Sequence, residues 1–273
     1  MVTVRNPSKG YLDQANVLSK TLDSVARPKQ LLILDLNGTL VSRMKSTGSL
    51  YLRPYHNRFF DYIFDNFTVM VWSSARPHNV DKMCRIFGEH RKKLRLIWDR
   101  TNFGLSTKDY NSKVVTIKDL EFIWKSLPDY DATNTILMDD SPEKTILQPH
   151  NHCVVSEFDH HSSTFRNHGE YELASVQSYL EKVQYQDNVS NYIKNHPYVS
   201  PANATNSNSN GDDDDDDNDD DDNGDPSDDS LPGVARSTQC YHYIFNKYGE
   251  DPAPILCDLG TDDLTARVSR LQL

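Results

Sequence analysis

The chain has 273 residues, enough for one α/β domain with appendages. Its net charge of −11 belongs to one tract: 13 of the 40 acidic residues are aspartates between positions 211 and 230, and without them 27 acidic residues face 29 basic ones. That balance leaves no basic face for nucleic acid, and no apolar run approaches the roughly 18 residues needed to span a bilayer. Four scattered cysteines without a Cys-x-x-Cys pair argue against a disulfide framework or a zinc module. Residues 1–10 carry Arg5 and Lys9 but no signal-like apolar stretch, and too few basic residues for a clear mitochondrial presequence. The expected compartment is a reducing one, nucleus or cytoplasm, with a mitochondrial location as the alternative.

In chain order, Leu-Leu-Ile-Leu from Leu31 predicts a buried parallel strand that opens into the polar turn Asp35-Leu-Asn37-Gly-Thr39. Residues 54–67 place Phe59, Phe60, Ile63, Phe64 and Phe67 on one face of a helix begun by Pro54. A second strand is expected at 68–72. A short helix should cover 79–87, with Gly88 as its stop. A further strand is expected at 94–98, and an irregular stretch with a hairpin at 99–116. Leu120, Ile123, Trp124 and Leu127 have helical spacing before Pro128. Strands at 135–138 and 153–155 and a closing helix at 170–183 complete the pattern. Alternating strands and helices imply α/β architecture: a mostly parallel, Rossmann-like sheet with helices on both faces and no large cap. The expected division is an extension at 1–27, a domain at 28–186, a disordered Asp-rich linker at 187–233 and a tail at 234–273 with a short helix starting at Thr261.

Four segments carry candidate chemistry. Asp35 stands at the end of the first strand, Ser73 and Ser74 at the end of the second, Lys118 before a helix, and Asp139 with Asp140 at the end of the third clear strand. Singly, each reads as a turn former or a solvated charge. Together they bring a nucleophile, hydroxyls, a cation and metal-binding carboxylates to one edge of one sheet, where open α/β sheets place their sites. The histidines at 150, 152, 160 and 161 fit no zinc spacing. Ser73 lacks the Gly-x-Ser-x-Gly setting of a serine hydrolase.

This order resembles the haloacid dehalogenase-like superfamily, and within it the RNA polymerase II C-terminal-domain phosphatases, or NLI-interacting-factor-like group. Arg53-Pro54, Thr116-Ile-Lys118-Asp-Leu120, Met138-Asp-Asp-Ser-Pro142 and Gln148-Pro-His-Asn151 also resemble that group's flanking motifs. The resemblance implies Asp35 as a nucleophile that carries an aspartyl-phosphate, Ser73 and Ser74 on phosphoryl oxygens, and Lys118 as the neutralising cation. It also implies Mg²⁺ held by Asp35, the main-chain carbonyl of Asn37 and Asp140, with Asp139 a ligand through water or an orienting group. The group's motif has a second aspartate as general acid where this chain has Asn37, and a carboxamide neither delivers nor removes a proton.

Three readings of Asn37 stay open. It marks a pseudophosphatase that binds proteins, or a slow phosphatase whose proton comes from Asp99 or His56, or a substitution without consequence. The expected partner is a phosphoprotein or peptide, with the aspartate tract either a spacer or a contact for a basic protein surface.

Overall fold

The computed structural model describes residues 6–25, 29–43, 49–162 and 170–204, and the backbone of three short strands beyond residue 239. In chain order the elements are α1 (Lys9–Ala15), β1 (Leu31–Leu34), β2 (Val41–Arg43), β3 (Leu50–Leu52), α2 (His56–Asn66) and β4 (Thr68–Trp72). They continue with α3 (Pro77–Met83), β5 (Ile97–Trp98), α4 (Thr107–Tyr110), α5 (Leu120–Ser126), β6 (Thr135–Asp139) and β7 (His152–Val154). Helices α6 (Glu172–Val183) and α7 (Val189–Asn195) follow, then a single turn at Pro201–Ala204.

The central sheet has the order β5-β4-β1-β6-β7, and all its pairings are parallel. The chain builds outward from β1 to β5 on one side, then returns to lay β6 and β7 on the other. The direction therefore switches between β1 and β6, where open α/β sheets leave a crevice at the carboxyl ends. Every residue of β1 is buried, because both faces of a central parallel strand are covered. Strand alternation divides the core. Leu32, Leu34, Val71 and Met138 pack under α2 and α6 with Phe59 and Leu180. Leu31, Ile33, Trp72 and Leu137 pack on the opposite face with Leu120 and Ile123 of α5. A small antiparallel pair, β2 with β3, bridges the return from the first turn to α2.

Several expectations need correction. The helix expected at 79–87 starts at Pro77 and gives way after Met83 to a 3-10 segment, Cys84–Lys93, kinked at Gly88 (φ 48°). Gly88 is a kink inside the segment, not its end. The hairpin expected within 99–116 is a 3-10 turn, Arg100–Phe103, followed by α4. Arg100 holds that stretch in place, with its guanidinium donating to the carbonyls of Tyr110 (2.9 Å), Asp109 (2.9 Å) and Ser112 (2.8 Å).

The linker does not begin at 187. Val189 and Ile193 of α7 are buried in the main core, and Asn188 caps the helix by accepting from the Asn191 amide. Nor is the N-terminal stretch a mere extension. Asn188 Nδ2 donates to the carbonyls of Gln14 (2.9 Å) and Val17 (2.8 Å), and Asn191 Nδ2 to that of Ala15 (2.9 Å). Asparagines that look like linker composition are here a cap and two staples.

The aspartate tract and the helix expected at Thr261 lie outside the described residues. Of the tail, Cys240–His242 pairs antiparallel with Ile255–Cys257, and Ile244–Phe245 with β3. Among the described residues no helix is long and apolar enough to cross a membrane.

Candidate active site

The site forms where β1 and β6 end. Their register pairs Leu34 with Met138, which brings Asp35 level with Asp139, and the Asp35 amide donates to the Met138 carbonyl at 3.0 Å. Both carboxylates are buried, Asp35 at 2% and Asp139 at 0% exposure. After Asp35 the chain turns tightly: the Leu36 carbonyl accepts from the amides of Leu40 (2.8 Å) and Val41 (2.9 Å), and the Gly38 amide donates to Val41 (2.8 Å). Gly38 has φ +87°, and a Cβ there would stand 2.9 Å from Asp140 Oδ2. Glycine alone lets the turn lie against Asp140. Thr39, fully buried, donates its hydroxyl to Asp140 Oδ1 at 2.9 Å.

Lys118 reaches the pair from just before α5. Its Nζ donates to Asp35 Oδ1 at 3.0 Å and Asp139 Oδ2 at 2.5 Å, and its side chain is wholly buried. The segment is anchored by Asp119, which caps α5 through the Glu121 amide, and by Gln148, whose amide bonds both Asp119 and the Leu120 backbone. A second cation, Lys144, sits on the 3-10 turn Pro142–Thr145 after β6. Its Nζ donates to Asp139 Oδ1 at 2.9 Å and lies 3.6 Å from Asp35 Oδ2. The motif comparison does not single out Lys144; a lysine five residues past Asp139, in the turn leaving β6, is the signal that could have found it.

These contacts set the protonation of the pair. Burial raises Asp35 above the ordinary carboxylate range, and Lys118 and Lys144 oppose that rise. Burial acts on Asp139 in the same sense, but the two ammonium groups bonded to it outweigh burial and hold it at about 2. The same carboxylates push Lys144 upward against its own burial.

Asp35, Asp139 and Asp140 each offer an oxygen within 4.8 Å of the others, a group found once among the described residues. Hard carboxylate oxygens suit Mg²⁺, so the donor set fits that ion. Asp139 already spends both oxygens on lysines, which leaves Asp35 and Asp140 as the freer donors.

The other predicted residues fall into two groups. Ser73 is buried at the end of β4, its amide tied to the Trp98 carbonyl and its hydroxyl facing the Ala75 amide at 3.4 Å. Ser74, half-buried, accepts at its carbonyl from Arg100 (3.4 Å). Both are at the correct sheet edge, but among the described residues neither is hydrogen-bonded to Asp35 or Lys118. Asn37 is exposed at the tip of the turn, while its neighbours Leu36 and Gly38 are buried.

The two candidate substitute acids are occupied elsewhere. His56 is buried with Nδ1 on the Arg53 carbonyl, and burial lowers it to about 4, so it is neutral near pH 7. Asp99 caps the turn that follows it, accepting from the Thr101 amide (2.8 Å) and hydroxyl (2.7 Å). Of the four histidines, His160 and His161 have ring centroids 3.8 Å apart, while the other two have separate partners. His150 stacks on Tyr11, and His152 bridges Thr145 and the Asp139 carbonyl.

A parallel sheet with a buried Asp–Lys–Asp cluster at its switch point has the architecture of the haloacid dehalogenase-like phosphatases that the motifs resemble. Residues 30–190 match the NLI interacting factor-like phosphatase family, and the chain belongs to that family. An uncharacterised FCP1 homology domain-containing protein of Schizosaccharomyces pombe is 38% identical over 215 residues, covering 70% of this chain and 85% of that one. The ubiquitin-like domain-containing CTD phosphatase 1 of Drosophila melanogaster is 26% identical over 161 residues, 57% of this chain and 49% of its own length. This chain thus spans most of the first relative and about half of the second. A structure of fission yeast RNA polymerase II CTD phosphatase Fcp1 bound to beryllium fluoride covers 57% of this chain and 50% of its own. That likeness is at 12% identity and a TM-score of 0.37.

Proposed function

We propose that this protein is a Mg²⁺-dependent phosphoprotein phosphatase that works through an aspartyl-phosphate on Asp35 and turns over slowly because Asn37 stands at the acid position. The observation that carries this reading is Lys118 Nζ shared between Asp35 and Asp139 at the sheet's switch point. A phosphate dianion cannot approach a buried carboxylate unless cations offset the repulsion. Asp35, the Asn37 main-chain carbonyl and Asp140 would hold Mg²⁺, with Asp139 a ligand through water or an orienting group. The bound ion would supply positive charge against the transferring phosphoryl oxygens.

In the first step a carboxylate oxygen of Asp35 bonds to phosphorus as the bond to the substrate oxygen breaks, while Ser73, Ser74 and Lys118 hold the phosphoryl oxygens. The leaving oxygen needs a proton, and the Asn37 carboxamide has none to give. In the second step water attacks phosphorus, the bond to Asp35 breaks and inorganic phosphate leaves. That water must lose a proton, and Asn37 cannot take it. General acid–base help is worth roughly 10²–10⁴-fold, so both steps slow, and phenolic leaving groups suffer least. Peptide-borne phosphoserine or phosphothreonine suits a site without a large cap, since among the described residues only β2, β3 and α2 lie between β1 and β4.

Asn37 also favours a second reading, a catalytically deficient member that holds phosphoprotein without releasing phosphate, as in protein import or complex assembly. The aspartate tract would then serve as a contact for a basic protein surface, weakening with salt.

The test is turnover of p-nitrophenyl phosphate and a phosphopeptide with Mg²⁺, together with phosphate binding, for wild type and Asp35→Asn. Turnover that Asp35→Asn abolishes supports the enzyme. Mg²⁺-dependent phosphate binding without turnover supports the binder. A chain that neither binds phosphate nor hydrolyses the ester overturns both.

A further inference from the structure

The reading above uses one lysine, yet the structure places two on the carboxylate pair. Lys118 bonds one oxygen each of Asp35 and Asp139, while Lys144 bonds the other oxygen of Asp139 and lies 3.6 Å from the other oxygen of Asp35. The lysines come from different segments but share a frame: the Lys118 amide donates to the Lys144 carbonyl at 2.7 Å. The Lys144 turn is fixed in its own right. His152 ties Thr145 of that turn to the Asp139 carbonyl, with contacts of 2.8 and 3.0 Å. Lys144 is also the more accessible of the two, at 14% side-chain exposure against 0% for Lys118. Lys118 is thus the more deeply set of the two cations, and Lys144 the more open to solvent.

Three carboxylates and one ammonium leave two negative charges; the second ammonium leaves one. Each unit of charge within about 5 Å of a partly buried ligand is worth at least a factor of ten in affinity. A more positive site binds a divalent cation less tightly and a phosphate dianion more tightly.

We propose that Lys144 is a second phosphate-binding cation that trades metal affinity for phosphate affinity. This rests on the Mg²⁺-and-phosphate reading of the same site. It also fits a protein whose acid–base chemistry is missing. Lys144 lies beside Asp35, and an in-line displacement by Asp35 would put the leaving oxygen on the far side of phosphorus, so Lys144 would strengthen holding of the phosphoryl group without supplying the lost proton.

Calorimetry on the full chain separates the possibilities, with Mg²⁺ alone and with inorganic phosphate at saturating Mg²⁺. Lys144→Gln keeps a hydrogen-bond donor for Asp139 but removes the charge. It is expected to lose about tenfold or more in phosphate affinity while binding Mg²⁺ about tenfold or more tighter. Lys144→Arg is expected to keep phosphate affinity within about threefold, since the charge is retained. Lys144→Met, which keeps the apolar stem, carries the same expectation as the Gln variant and replaces it where that variant does not fold. Unchanged affinities for both ligands in the Gln or Met variant overturn the proposal. So does a joint loss of both, which would make Lys144 a prop for Asp139. If wild type binds phosphate and Mg²⁺ but the variants behave in either of those ways, only this inference fails. If wild type binds neither, the reading beneath it fails as well.

Discussion

At the scale of single residues, Asp35, Lys118, Asp139 and Asp140 sit within bonding reach of one another or of shared partners. Asn37 is exposed beside them, and under the proposed function its carboxamide stands where a proton donor is needed. The tightest steric constraint is Gly38, whose φ of +87° and 2.9 Å approach to Asp140 leave no room for a side chain. Gly38→Ala should destabilise the domain by about 1–3 kcal/mol and move Asp140, weakening Mg²⁺-dependent phosphate binding. Thermal melting read beside calorimetry checks both; a variant with wild-type values for each would show that the turn tolerates a Cβ. Asp35, Lys118 and the Asp139–Asp140 pair could be placed at one sheet edge from the sequence because each stands beside an apolar strand or helix, and the family resemblance joined them; Ser73 lies at that edge, but its hydroxyl faces the Ala75 amide and not the cluster. Lys144 was not, since a lysine in a polar turn reads as a solvated charge and only the fold brings its ammonium to Asp139.

Among the elements, the turn after β1 depends on a residue outside it. Arg53, 0% exposed at the end of β3, donates from one nitrogen to the Thr39 carbonyl (3.0 Å), and Thr39 in turn bonds Asp140. Its other nitrogens donate to Glu170 (3.0 Å) and Ser156 (2.8 Å), and the Ser156 hydroxyl donates to Glu172 (3.0 Å). Burial raises Glu170, and Arg53 works against that rise. Arg53→Met would strand Glu170 and Glu172 in the interior, at about 3–5 kcal/mol, and free the Thr39 carbonyl. Urea unfolding measures the first effect; a loss under about 1 kcal/mol would mean the network is not buried as described.

The central strands were readable from four- and five-residue apolar runs. Helix ends and the 99–116 stretch were not, because Gly88 accommodates a kink and Arg100 organises a polar loop that has no periodicity. Helix α7 escaped for a related reason: only Val189 and Ile193 announce it, amid asparagines whose capping and stapling need the N-terminal stretch as partner.

For the whole molecule, stability should depend on pH through His56. Folded His56 titrates near 4, against an ordinary value of 6.5, because its ring is buried. Between those values the unfolded chain takes up a proton that the folded chain does not, so stability is full above about 6.5 and falls as pH drops towards 4. The loss should approach about 3 kcal/mol, seen as a lower urea midpoint at pH 5 than at pH 7.5. His56→Gln should flatten that slope; an unchanged slope would assign the pH dependence to other groups. The fold class was open to reading from the alternation of strands and helices, whereas the N- and C-terminal limits of the packed domain were not. These limits are set by contacts between residues 14–20 and 186–191, about 170 positions apart.

The most direct test of the central claim, that Asn37 is the one gap in a working site, is the Mg²⁺-dependent turnover number for p-nitrophenyl phosphate in wild type and Asn37→Asp. The account predicts a gain of about 10²-fold or more in the variant, abolished when Asp35→Asn is added. Equal rates in wild type and Asn37→Asp, both dependent on Asp35, would contradict it.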